Sequence, residues 1–164
     1  MSNFDKWRNE LLYVGNIVQD SDDSIEPEEA EKRFNRYIEM LDALEGTEGS
    51  KYALAIFESI QAIDDYGAYQ AAGHAAWRFG EKLFCEALIH ELPRLIKTLP
   101  DWAGDFMVSI ANGEGTENDS TIYAFNCLLA NLPEKEKSII KTFISEQEID
   151  GWLDNRVGVL GGNA

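Results

Sequence analysis

Histidine is nearly absent from this chain: His74 and His90 are the only two in 164 residues, sixteen positions apart. Most acid–base and metal centres draw on this side chain, so its scarcity removes the commonest catalytic and zinc-binding arrangements. Glu86 and His90 are four apart and could share a helix face, but two ligands fall short of the three or four that zinc takes. A structural side-chain pair is the expected role there, and a hydrogen-bonded core position is expected for His74. Cysteine is as scarce. Cys85 and Cys127 form no CxxC pair and sit in apolar segments, so two free thiols in a reducing cytosol are expected. Glu86 and His90 both fall off the helix face of Cys85, which leaves the thiol without an activating base. HExxH, GxSxG and phosphate-loop patterns are missing as well. The expectation is a protein that is not an enzyme and uses no cofactor and no metal. A carboxylate or histidine site of unrecognised pattern stays open as an alternative, because any acidic chain offers many carboxylate pairs.

Long hydrophobic runs are also lacking. None approaches the roughly 18 residues of a membrane span. The start, Met1-Ser2-Asn3-Phe4-Asp5-Lys6, does not have the basic-then-apolar layout of a signal peptide. A cytoplasmic location without a membrane partner is expected. Basic residues are few: 14 against 30 acidic ones, a net charge of −16. Residues 1–50 carry 13 acids and 5 bases, residues 51–100 carry 6 and 5, and residues 101–164 carry 11 and 4. The apolar, near-neutral middle is expected to form the core, with acid displayed by the flanks. Such a field repels nucleic acid and speeds association with cationic proteins. Acidity that serves solubility alone is the competing explanation.

Helical periodicity is abundant, supported by a 45% hydrophobic and 11% aromatic composition. Phe4, Trp7, Leu11 and Val14 recur at spacings of three and four behind a Ser2…Asp5 capping box. After the polar loop Asp20–Ser24, Pro27, Glu28 and Glu29 open a second helix with the stripe Ala30, Phe34, Tyr37, Leu41, Leu44. Ala53, Ile56, Ile60 and Ile63 mark a third, stopped by Asp64-Asp65-Tyr66-Gly67. Residues 68–98 form the longest helical stretch, apolar nearly all round and kinked or broken at Gly80 and Pro93. Trp102, Phe106 and Ile110 mark the next helix, and Ile122, Phe125, Leu129 and Leu132 another. Pro133 opens one bearing Ile139, Ile140 and Phe143, and a Ser145…Glu148 capping box opens a short last helix. No segment alternates for long enough to be a strand. The fold class is therefore all-α, a single domain over 1–164 with eight or nine helices and a frayed tail from about 155. Leu99-Pro100-Asp101 and Leu132-Pro133-Glu134 lie 33 residues apart, with Leu92-Pro93 as a third Leu-Pro opening a helix. That spacing suits an irregular HEAT-like stack as well as a helical bundle.

Loop Asp20–Ser24 lacks the sixth-position glycine and terminal glutamate of an EF-hand, so a solvated turn is expected. Glu114, Glu117 and Asp119 form a second acidic loop with poor ligand spacing. Binding features are better represented. Asp64, Asp65 and Tyr66 with Tyr69, and Asp101 and Trp102 with Asp105, set aromatic rings beside carboxylates, a combination that suits docking of Lys and Arg side chains. Of these, Asp64, Asp65, Tyr69, Asp101, Trp102 and Asp105 are the expected anchors. Glu117 and Asp119 are candidate rim contributors. For Trp102 the competing role is a core contact, and for the Asp64-Asp65 pair a helix-ending loop without function.

The acidic, aromatic Ile63-Asp64-Asp65-Tyr66-Gly67-Ala68-Tyr69, the Ala75-Ala76-Trp77-Arg78-Phe79 helix and the Leu-Pro helix pairs after residue 92 give a chain that resembles bacterial immunity proteins. These belong to contact-dependent growth inhibition and related polymorphic toxin systems. The resemblance covers the chain as a type, and no site residue carries over by position. It implies binding to a cognate toxin, often a nuclease, and occlusion of its active site. A nuclease cleft must be basic to hold polyphosphate, so clustered carboxylates can occupy it as phosphate surrogates. A HEAT- or TPR-like adaptor that binds a non-toxin protein is the alternative.

Overall fold

The computed structural model describes residues 3–153 and 156–162. Among them are eight α-helices and no strand: α1 Asn3–Gly15, α2 Pro27–Asp42, α3 Ser50–Glu58, α4 Ala68–Trp77, α5 Glu81–Thr98, α6 Pro100–Ala111, α7 Asp119–Ala130 and α8 Glu134–Asp150. The all-α architecture expected from the apolar periodicity is present. Ser2, and with it the expected capping box, lies outside the described residues. Contacts along the backbone group the chain into two compact units, residues 1–80 and 81–164, where one domain was expected from length alone.

In the first unit α1 packs on α2 and α3, and α4 packs on the same two helices, which closes a ring of four. The expected stripes supply its core: Leu11, Val14, Tyr37, Leu41, Ala53, Ile56, Ala72 and Ala76 are all buried. Arg8 grips Glu58 through two hydrogen bonds of 2.7 and 2.9 Å, tying α1 to α3. The Arg78 guanidinium donates to the carbonyls of Leu41 and Leu44 at 3.2 and 3.0 Å. A cation there meets the negative end of the α2 dipole.

In the second unit α5 is central and packs against α6, α7 and α8. Each unit thus has its own core, so the acidic flanks contribute buried side chains from Leu11 to Leu160 rather than only displaying charge.

Of four expected boundaries, three differ. α3 ends at Glu58 instead of Ile63, because Gln61 and Ala62 give their N–H groups to a tyrosine hydroxyl instead of a helix ladder. The 68–98 stretch breaks at Gly80 into two helices as expected, its φ of +82° being a conformation that ordinary side chains avoid. Pro93 lies inside α5 and breaks nothing, so Leu92-Pro93 opens no helix, whereas Pro100 and Pro133 stand where α6 and α8 begin. Among the described residues no separate last helix follows α8. Ser145 is an interior residue of α8, its hydroxyl donating to the Lys141 carbonyl at 3.1 Å, and the chain turns only at Gly151.

The described part of the expected frayed tail is tied down as well. Asn126 donates to the Val159 carbonyl at 2.9 Å and accepts from the Gly161 N–H at 2.8 Å, and Leu160 is buried. A side-chain amide matches one backbone donor and one acceptor at once, which gives an otherwise polar tail a fixed path.

Candidate protein-binding face

The first unit brings together two loops that are about 45 residues apart in sequence. Gln19 does this with its side-chain amide: Nε2 donates to the Asp64 carbonyl at 2.9 Å, and Oε1 accepts the Asp64 N–H at 3.1 Å. The Tyr66 hydroxyl adds a third link by accepting the Asp20 N–H at 3.2 Å. The 18–26 connection and the 61–67 connection therefore form one surface. Asp20, Asp22, Asp23, Glu26 and Asp64 are exposed on it, together with Tyr66 (51% exposed) and Ile63 (78% exposed). No Lys or Arg pairs with any of these five carboxylates among the described residues.

Local structure explains why the acids stay where they are. The Ser24 hydroxyl and N–H both donate to the Asp22 carboxylate, and those bonds hold its pKa below the ordinary value. Such an Asx-type turn fixes the loop without a buried core beneath it. Tyr66 is the one residue other than glycine with a positive φ among the described residues, +51°. A tyrosine pays for that conformation unless its surroundings impose it. Here the preceding Asp65 holds it by reaching across to the start of α4, its carbonyl taking the Ala68 N–H at 2.9 Å and its carboxylate the Tyr69 N–H at 2.8 Å. A carboxylate at that position also meets the positive end of α4.

Beneath the surface lies a buried tyrosine pair. The Tyr69 hydroxyl accepts N–H groups from Gln61 and Ala62 at 2.9 and 2.7 Å and donates to the Gly15 carbonyl at 2.8 Å. Tyr37 stands edge-on to it, ring centroids 6.1 Å apart, and donates to Ser59, whose hydroxyl is itself given to the Ile56 carbonyl. Burial pushes the Tyr37 phenol far above its ordinary range, with the Ser59 bond pulling weakly the other way. Gly15 must be glycine here, because a Cβ would sit 2.8 Å from both the Ser59 carbonyl oxygen and the Tyr37 ring. One cluster thus joins α1, α2, α3 and α4 and sets the path of residues 59–62 that leads into the acidic loop.

Three clefts open on this unit. A groove of about 730 Å³ between α1 and α2 has mixed charge, and its Arg33 and Arg36 already pair with Glu29, Glu10 and Glu39. A cleft of about 290 Å³ lies beside Tyr66, with Ile17, Val18, Ala30 and Phe34 as its apolar surface and Asp20 and Glu31 at its edge. A third, about 380 Å³, shares Val18, Asp20 and Ala30 and adds Asp22, Asp23, Ile25 and Glu26. Neither of the latter two has a Lys or Arg among the described residues that line it.

The expected anchors fare unequally. Asp64 is exposed on the face. Asp65 is half-buried, its carboxylate occupied by the Tyr69 N–H in the first turn of α4. Tyr69 is wholly buried, so it cannot touch a partner; it buttresses the loop from below, since three backbone groups compete for its hydroxyl. Asp101, Trp102, Asp105, Glu117 and Asp119 belong to the second unit. Asp101 and Asp105 are exposed on α6, while Trp102 is half-buried with its ring 5.9 Å from Phe106. Glu117 is exposed before α7, and Asp119 accepts the Gly115 N–H at 2.9 Å, closing its own loop. The expected Glu86–His90 pair does not form: His90 meets Glu91 at 3.1 Å, Arg94 holds the other Glu91 oxygen at 2.6 Å, and Glu86 pairs with Lys82.

Sequence reasoning takes the 20–24 loop for a solvated turn and names Tyr66 beside Tyr69 without choosing it as an anchor. The signal was available: from Asn9 to Glu31 the chain has no Lys or Arg, and residues 17–31 alone hold seven carboxylates. Among the described residues no group of three or more His, Cys, Asp or Glu is placed to hold a metal ion. No helix there is long and apolar enough to cross a membrane. Comparison with protein-family models, with curated proteins and with solved structures finds no match to this chain.

Proposed function

We propose that this chain is a protein-binding module that docks a basic protein on the acidic face of its first unit. In its particular form the partner is a cognate toxin domain, favoured as a nuclease, and the chain neutralises it by covering its active site in the cytoplasm. The observation that carries this reading is the locked pair of loops, in which five exposed carboxylates surround Tyr66 and Ile63 with no cation paired to them. A rigid face loses little conformational entropy on docking, and exposed aromatic and aliphatic anchors supply area that carboxylates alone do not. Uncompensated acid gives fast encounter with a basic cleft, at rates up to about 10⁸–10⁹ M⁻¹s⁻¹ at low salt. The resemblance to immunity proteins supplies the class of partner. The α1–α2 groove, whose two arginines are already paired with Glu29, Glu10 and Glu39, favours a second reading as an adaptor for a helix or peptide.

The test begins with gene order. A large secreted toxin should be encoded next to this chain, and its purified C-terminal domain should bind it. Affinity should fall by about tenfold or more between low and physiological salt. Changing Asp20, Asp22, Asp23 and Asp64 to Asn together should abolish protection of cells that express the toxin. Salt-insensitive binding, or full protection by that variant, sinks the reading.

A further inference from the structure

We infer that the cleft beside Tyr66 receives a single lysine or arginine side chain of the docked partner. The inference rests on the reading of this face as a docking surface for a basic protein, and it names the group that enters. The cleft has the two-part chemistry of such a side chain. Val18, Ala30 and Phe34 are half-buried and Ile17 is buried, so they offer apolar surface to a methylene stem. Asp20 and Glu31 are exposed at its edge, and no lining residue among those described is basic. An incoming cation would therefore find two carboxylates that no Lys or Arg pairs with among the described residues, although Glu31 also faces the α1–α2 groove. Tyr66 lines the same cleft and offers an aromatic ring to the cation. Its hydroxyl accepts the Asp20 N–H and hydrogen-bonds with the Asp20 side chain, so the ring and that carboxylate are held as one unit. At about 290 Å³ the space is at the lower limit of small-molecule pockets and suits one long side chain better than a larger ligand.

The experiment titrates the isotope-labelled full chain with three probes, the acetylated amides of lysine, arginine and norleucine, and follows backbone amide shifts. The two cationic probes should saturate shifts clustered at 17–20, 30–34 and 66, with norleucine at least about threefold weaker. Glu31→Gln and Tyr66→Ala should each weaken the cationic probes by about threefold, as expected for loss of one exposed charge or cation–π contact. Equal effects of lysine and norleucine, or shifts scattered over the surface without this cluster, overturn the inference. So does binding of the lysine and arginine probes that both variants leave unchanged. Failure here is separable from failure of the docking reading. If the toxin domain binds wild type and Glu31→Gln alike but not the Asp20/Asp22/Asp23/Asp64 variant, the face stands and the cleft assignment falls.

Discussion

Replacing Tyr69 with Phe removes one oxygen atom and leaves the ring packed against Tyr37. That oxygen serves three backbone groups: the N–H of Ala62 at 2.7 Å, the N–H of Gln61 at 2.9 Å and the carbonyl of Gly15 at 2.8 Å. Gln61 is exposed, so its N–H can turn to water, but Ala62 and Gly15 are buried and their groups cannot. Each buried group left without a partner costs about 1–3 kcal/mol. The substitution should therefore destabilise the first unit by about 2–6 kcal/mol, a large part of the stability of an ordinary domain. Chemical unfolding followed by far-ultraviolet circular dichroism measures the loss, and amide exchange at Ala62 shows where it arises. Tyr66→Phe is the control. Its hydroxyl makes exposed contacts only, with the Asp20 N–H at 3.2 Å and with the Asp20 side chain. Their loss should cost under about 0.5 kcal/mol. A Tyr69→Phe protein as stable as wild type, with Ala62 still protected, would refute the idea that this hydroxyl sets the path into the acidic loop.

Two further perturbations address the second unit. Cys85 is buried, and burial pushes its thiol from 9.0 up to about 12, while Cys127 is partly exposed. A disulfide-exchange reagent should thus titrate one thiol in the native protein and two after unfolding; two fast thiols in the native state would contradict this. The fold keeps Cys85 protonated whereas the unfolded chain ionises it sooner, so stability is full below about pH 9 and declines from there toward pH 12. Cys85→Ala should flatten that decline, and an unchanged slope would assign it elsewhere. Asn126→Ala strands the Val159 carbonyl and the Gly161 N–H, and should cost about 1–2 kcal/mol with faster amide exchange confined to 156–162 and its contacts. Unaltered exchange there would show that Leu160 alone holds the segment.

Much of the helical fold was legible because apolar periodicity and proline placement are local signals. Pro27, Pro100 and Pro133 stand at the starts of α2, α6 and α8 as their fixed φ and missing N–H require. The errors arose where a distant group outcompeted the local pattern. Ile60 and Ile63 continue the α3 spacing, yet Tyr69 takes the backbone donors that a longer helix would need. Ser145 looks like a cap, but no Gly or Pro interrupts residues 134–150, and an uninterrupted helix satisfies the same backbone groups. The tail looked frayed because its glycines are a local signal, whereas Asn126, more than thirty residues away, is not.

The candidate face was half legible for the same reason. Asp64 was singled out from its neighbours, but its true companions, Asp20, Asp22 and Asp23, reach it only through Gln19 and Tyr66. Tyr69 was chosen for its ring beside acids. Its three backbone partners lie eight, seven and 54 residues away, and they draw it into the core.

The most direct measurement of the central claim is hydrogen exchange of the chain, free and bound to the toxin domain encoded beside it. Protection on binding should concentrate at residues 17–24, 30–34 and 61–67, and should be lost in the Asp20/Asp22/Asp23/Asp64→Asn variant. Protection confined to α6 and the 113–119 loop, with 17–24 and 61–67 unchanged, would contradict it.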